Sequence, residues 1–193
     1  MTHATETALL IVDVQESFRQ RREEWVSTAN PRVLENVERL LGAARAAGDL
    51  IVWVTHADPG SGGIFDPGSG FVRVMADFEP RADELQVMKT SINAFTTTNL
   101  HQQLSIRGIR RIVVCGIRTE QCCETTARVG SDLGFEVVFV TDATTTSAIP
   151  AGEGYGEVSG DDVMRRTETV LGGRGFATIA TTAEHVGLAS ATG

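Results

Sequence analysis

Short apolar runs separated by stretches of helical spacing constrain this chain more than any other feature. Ala8–Val14 (A-L-L-I-V-D-V) and Leu50–Thr55 (L-I-V-W-V-T) are nearly continuous in apolar, often β-branched residues. That is the pattern of strands covered on both faces of a parallel sheet. Leu85–Met88, Ile112–Cys115, Glu136–Thr141 and Ala177–Thr181 supply four more strands. Between the first two, Val33, Leu34, Val37, Leu40, Leu41 and Ala44 recur at helical spacing, with Pro31 at the start and Gly48 at the end. Further helices are expected over Asn99–Ile106, from Thr119 to about Leu133, and over Asp161–Leu171, with one helical turn at Thr182–Val186. Arg19–Ala29 reads as an irregular excursion. Strands alternating with helices predict a three-layer α/β/α architecture, an open, mostly parallel six-stranded sheet with helices on both faces. A chain of 193 residues is most simply one domain over 1–193.

The formal net charge of −8 gives no support to binding nucleic acid or an anionic membrane. No apolar run approaches spanning length and Met1–Thr7 is short and polar, so the expected location is cytoplasmic. Cys115, Cys122 and Cys123 are odd in number and fall within nine positions, which argues against a disulfide framework. No Cys/His spacing suited to zinc is present.

In open parallel sheets the site lies beyond the carboxyl ends of the strands. Asp13, His56, Lys89 and Cys122 each follow a predicted strand end. Individually each has an ordinary explanation: a turn carboxylate, a lone histidine, a solvated lysine that contributes little packing, a small buried thiol. Their convergence on one rim is the informative feature. With Thr119 as N-cap, Cys122 falls in the first helical turn, where unpaired amides and the helix dipole favour a thiolate. Asp13 could take the thiol proton and return it to a leaving amine, and Lys89 would favour the thiolate and orient Asp13. His56 and Asp58 follow the second strand, but Ala57–Val74 offers no second histidine, so no metal and no cofactor are expected. Pro59–Gly70 is rich in glycine without the spacing of a phosphate cradle and reads as a mobile loop over a pocket. Ser147–Gly160, with Tyr155, is a second such loop.

With these residues in hand, the chain resembles the isochorismatase-like cysteine hydrolases along nearly its whole length. Four segments carry the likeness: D-V-Q-E-S-F at Asp13–Phe18, K-T-S-I-N-A-F at Lys89–Phe95, G-I-R-T-E-Q-C-C-E-T-T-A at Gly116–Ala127, and G-F-E-V-V-F-V-T-D-A at Gly134–Ala143. The resemblance implies a catalytic triad of Asp13, Lys89 and Cys122. It also implies a cis peptide between Ile117 and Arg118, and an oxyanion hole from the Arg118 and Cys122 N–H groups. Cys123 stands where the family often has valine and reads as packing. Metal-dependent nicotinamidases of this family carry an aspartate and histidines after the second strand, and His56 here lacks those companions. Retention of Cys122 favours cleavage of an amide, carbamoyl or lactam C–N bond of a small molecule, with Phe18, Trp25, His56, Phe95 and Arg118 lining the substrate pocket. A homo-oligomer is implied by the same likeness. The rivals are a vinyl-ether hydrolase of the isochorismatase type and, from a different class, a thiol sensor built on Cys122–Cys123.

Overall fold

The computed structural model describes residues 5–191. Six strands, β1 (Thr7–Val12), β2 (Leu50–His56), β3 (Leu85–Lys89), β4 (Arg111–Ile117), β5 (Glu136–Thr145) and β6 (Thr178–Ala180), form one sheet in the order β3-β2-β1-β4-β5-β6. Every pairing is parallel. The helices are α1 (Glu16–Gln20), α2 (Arg22–Val26), α3 (Val33–Ala47), α4 (Leu100–Ile106), α5 (Glu124–Asp132), α6 (Gly160–Gly173) and α7 (Thr182–Ala191). Among the described residues no helix is long and apolar enough to cross a membrane.

Alternate side chains along each strand enter opposite layers, and this is why the strands read as unbroken apolar runs. On one face Leu10, Val12, Val52, Ile112 and Val114 pack with Leu100 and Leu104 of α4, Ala127 of α5 and Leu171 of α6. On the other, Leu9, Ile11, Ile51, Trp53 and Val113 pack with Val33, Val37, Leu40 and Leu41 of α3, with Val186 of α7 against them. The sequence order runs outward from β1 in one direction through β2 and β3, and from β4 in the other. The strand order therefore reverses between β1 and β4, and a crevice at that switch point is where such sheets bind ligands.

Two local departures from the sequence reading bear on the site. The Arg19–Ala29 excursion holds the helix α2, and α1 starts before it at Glu16. Gly116 does not end β4, which continues through it to Ile117. The pairing with β5 shifts register between Val114 and Gly116, and β5 runs on to Thr145 to match, beyond the expected Thr141. The shift rests on Gly116, whose φ of 125° suits glycine, and whose missing Cβ would lie 1.9 Å from the Val12 carbonyl oxygen. A backbone atom of the neighbouring strand cannot yield there. Gly116→Ala is expected to cost more than about 4 kcal/mol, beyond the range of ordinary substitutions. Urea unfolding would show it as a collapsed midpoint or as failure to fold; a wild-type midpoint would mean that β1 and β4 part easily.

Candidate active site

Three strand ends deliver the central groups. Asp13, directly after β1, is the one non-glycine residue with positive φ (55°) among the described residues. Aspartate tolerates that conformation better than most side chains. Its N–H donates to the Val54 carbonyl (2.8 Å), which ties the bend to β2. Gln15 then clamps the end of β2: its Oε1 accepts from His56 N–H (2.6 Å) and its Nε2 donates to the His56 carbonyl (3.0 Å). Lys89 closes β3 in register with His56. After β4, the peptide between Ile117 and Arg118 is cis.

Thr119 does not cap a helix. Thr119–Cys123 is a π-helical turn that leads into α5, and the Thr119 hydroxyl donates to Thr144 Oγ1 (2.9 Å). The wide turn is closed by Cys123 N–H donating to the Arg118 carbonyl (3.1 Å). Insertions of this kind occur often at functional sites.

Lys89 Nζ is the hub. It donates to Asp13 Oδ2 (2.8 Å), the Ser91 carbonyl (3.3 Å) and Cys122 Sγ (3.4 Å), and lies 3.4 Å from His56 Nδ1. Asp13 and Lys89 are fully buried and Cys122 is 6% exposed. Lys89 is thus no solvated strand end: its ammonium is held inside the protein by four neighbours. The Ala94 N–H donates to Thr126 Oγ1 (3.1 Å), fastening the segment after Lys89 to α5 below Cys122.

Burial raises the Asp13 pKa above its ordinary 3.8, against the opposing pull of Lys89 and the Cys122 hydrogen bond. Burial, and then the charge of Asp13, push the Cys122 thiol up to about 12, more than Lys89 takes back. Burial and the Asp13 charge thus work against the thiolate that the Lys89 ammonium favours. Burial, and then Lys89, lower the His56 pKa below 6.5. Iodoacetamide should label Cys122 ahead of Cys115 and Cys123, which are both fully buried. Its rate should climb about tenfold per pH unit through pH 9, with no plateau near neutrality. Peptide mapping that finds Cys123 modified first, or a rate already level at pH 7, would contradict this arrangement.

A model of the isochorismatase domain matches residues 7–153. The chain belongs to the isochorismatase family. It is a hydrolase of that family. A streptothricin hydrolase of Streptomyces noursei is 37% identical over 75% of this chain, which spans 51% of that protein. Nicotinamidase 3 of Arabidopsis thaliana is 31% identical over 72% of this chain and 73% of its own length. Among solved structures, a cysteine hydrolase from Pseudomonas syringae pv. phaseolicola 1448A superposes with a TM-score of 0.87 at 27% identity, covering 97% of this chain and 94% of that one.

The expected pocket residues fall in separate places. Phe18, Trp25 and Arg118 line a small cavity beside Ile117, closed by Thr145, Thr146 and Ser147, with room for little more than one water (about 20 Å³). His56 meets Phe65 edge-on, and Phe65 in turn meets Phe18, so the Pro59–Gly70 loop does reach the rim. Phe95 is a correction. It stacks on Phe135 in the layer under α5 and belongs to the core, because the turn after β3 directs it beneath the helix. The Ser147–Gly160 loop carries a small antiparallel pairing of Ile149 with Val158. Glu24, from α2, forms an ion pair with the Arg118 guanidinium. Sequence reasoning missed that pairing, since nothing in a polar stretch marks which carboxylate meets an arginine 94 positions away. Among the described residues, no three His, Cys, Asp or Glu side chains group to hold a metal ion.

Proposed function

We propose that this protein cleaves a C–N bond, of an amide, carbamoyl or lactam type, in a small molecule through a thioester on Cys122. The observation that carries the reading is the buried contact chain Asp13–Lys89–Cys122 at the strand-order switch. A nucleophile, a base and a cation are held out of water there, where proton transfer and charge stabilisation are most effective. The names of the relatives, a streptothricin hydrolase and a nicotinamidase, support C–N chemistry.

The Cys122 proton passes to Asp13 as the sulfur attacks the substrate carbonyl carbon. The oxygen of the tetrahedral adduct is taken by the N–H groups of Arg118 and Cys122. Neither donates the two bonds made to the Arg118 carbonyl, which come from Gln121 and Cys123. Asp13 returns the proton to the departing nitrogen as the C–N bond breaks, leaving the acyl group on sulfur. A water molecule, deprotonated by Asp13, then adds to the thioester and releases the acid, and the thiol regains its proton. The Lys89 ammonium compensates the carboxylate while it is ionised and the sulfur as it acquires charge. The net change is amide plus water to acid plus amine.

The test is acid quenching during turnover of a panel of primary amides, ureido compounds and lactams, followed by mapping of the adduct. Acyl groups on the Cys122 peptide, with release of ammonia or amine, are the expected result. Turnover of an amide with no acyl-enzyme at any quench time, or turnover undiminished in Cys122→Ala, would remove the thioester.

A further inference from the structure

The cavity beside the cis peptide holds a cation whose counter-ion is loosely mounted. Arg118 directly follows the cis peptide, and its guanidinium lies over the Phe18 ring, 6.0 Å from the centroid. Its side chain is 15% exposed. One arm donates to Ser147 Oγ (3.1 Å) and the other pairs with Glu24. A partly buried guanidinium favours a planar anion, since its fork matches a carboxylate. In this structure Glu24 supplies that carboxylate.

Glu24 is poorly anchored compared with Arg118. It sits on the five-residue helix α2, which buries none of its residues and has no side-chain cap at its start. Its own side chain is 45% exposed. A second cation already waits beside it: Arg21 Nη1 lies 3.5 Å from Glu24 Oε2. Glu24 can therefore leave Arg118 without becoming unpaired, because Arg21 and solvent take over. Arg118 has no such alternative among its contacts, since Ser147 is neutral.

We propose that Arg118 selects substrates that carry a carboxylate besides the scissile bond, and that Glu24 occupies the carboxylate position until substrate displaces it. The substrate class is then small amides of dicarboxylic acids and similar acidic C–N compounds. This rests on the amide-hydrolase reading above and refines it. The exchange is one carboxylate for another on the same guanidinium, so no charge is left uncompensated in the cavity.

The test pairs each acidic amide with a neutral one of the same skeleton: malonamate with malonamide, succinamate with succinamide, glutaramate with glutaramide. The wild-type protein is expected to favour the acidic member of at least one pair by about tenfold or more in kcat/KM, as for a charge-assisted hydrogen bond. Arg118→Met should bring that ratio close to one, while Arg118→Lys keeps part of it. Glu24→Gln should lower KM for the acidic member severalfold more than for the neutral one. A preference for neutral amides, or an acidic preference that persists in Arg118→Met, overturns the proposal. If no pair is hydrolysed, protection of Cys122 from iodoacetamide decides the matter: malonate, succinate or glutarate should protect at concentrations where the matching diamide does not, and do so more strongly in Glu24→Gln. Equal protection, or none, overturns the carboxylate site. Turnover thus tests the amide-hydrolase reading, whereas the ratio and the protection test Arg118.

Discussion

Cys122→Ala should lose turnover by a factor on the order of 10⁴ or more, as when the nucleophile of a covalent mechanism is removed. The vicinal variant, Cys123→Ala, should keep most of it. Both sulfurs are packed into the same layer, so packing alone would make the two variants behave alike. What differs is the company: Lys89 Nζ and the Asp13 carboxyl face Cys122, and Cys123 is fully buried. Removing the Cys123 sulfur opens a small cavity and costs about a kcal/mol or two of stability. Removing the Cys122 sulfur costs a similar amount, since it is buried in the same layer and also gives up its contact with Lys89 Nζ. Steady-state kinetics beside thermal melts of both variants separate the two roles. Equal loss of activity in both would point to packing or to a thiol pair acting together, as a sensor would.

The second large effect concerns the buried ion pair. Each of Lys89→Met and Asp13→Asn should destabilise the fold by about 3–5 kcal/mol, because either one leaves a buried charge without its partner. The double variant Asp13→Asn/Lys89→Met should recover most of that loss while remaining inactive. The expectation that a lysine at a strand end contributes little packing fails because Lys89 is wholly buried. The pH dependence of stability follows from the sign of the Asp13 shift. Its folded pKa lies above the ordinary 3.8, so the native state binds more protons than the unfolded chain over the interval between them. Stability contributed by this group therefore falls as pH rises from 3.8 through the raised pKa, and is flat above it. Lys89→Met removes the charge that holds that pKa down, which lifts it further and extends the falling interval upward. Urea midpoints measured from pH 4 to 9 should show a steeper loss with rising pH for Lys89→Met than for the wild type. Parallel profiles, or single variants as stable as the double, would show that the pair is not coupled as described.

The sequence by itself determined the layered fold and the identity of the central residues. The apolar runs of the central strands require cover on both faces, which a parallel sheet between helices provides, and that topology sends the strand ends to one rim. Asp13, Lys89 and Cys122 were legible because each follows a strand end, and a parallel sheet brings those ends to one rim. What the sequence could not convey is how these groups alter one another. Whether Lys89 is surface or hub depends on its ammonium reaching past the end of β2, and the thiol state of Cys122 depends on a balance between burial and two opposite charges. Only distances in the folded chain decide such balances. The same holds for the passage of β4 through Gly116, fixed by the approach of Val12, for Phe95, which the turn after β3 sends beneath α5, and for Glu24, whose ion pair spans 94 positions. Local pattern reports which residues are buried and in what period. Contact between distant segments, and hence charge state and specificity, is set by how the layers close.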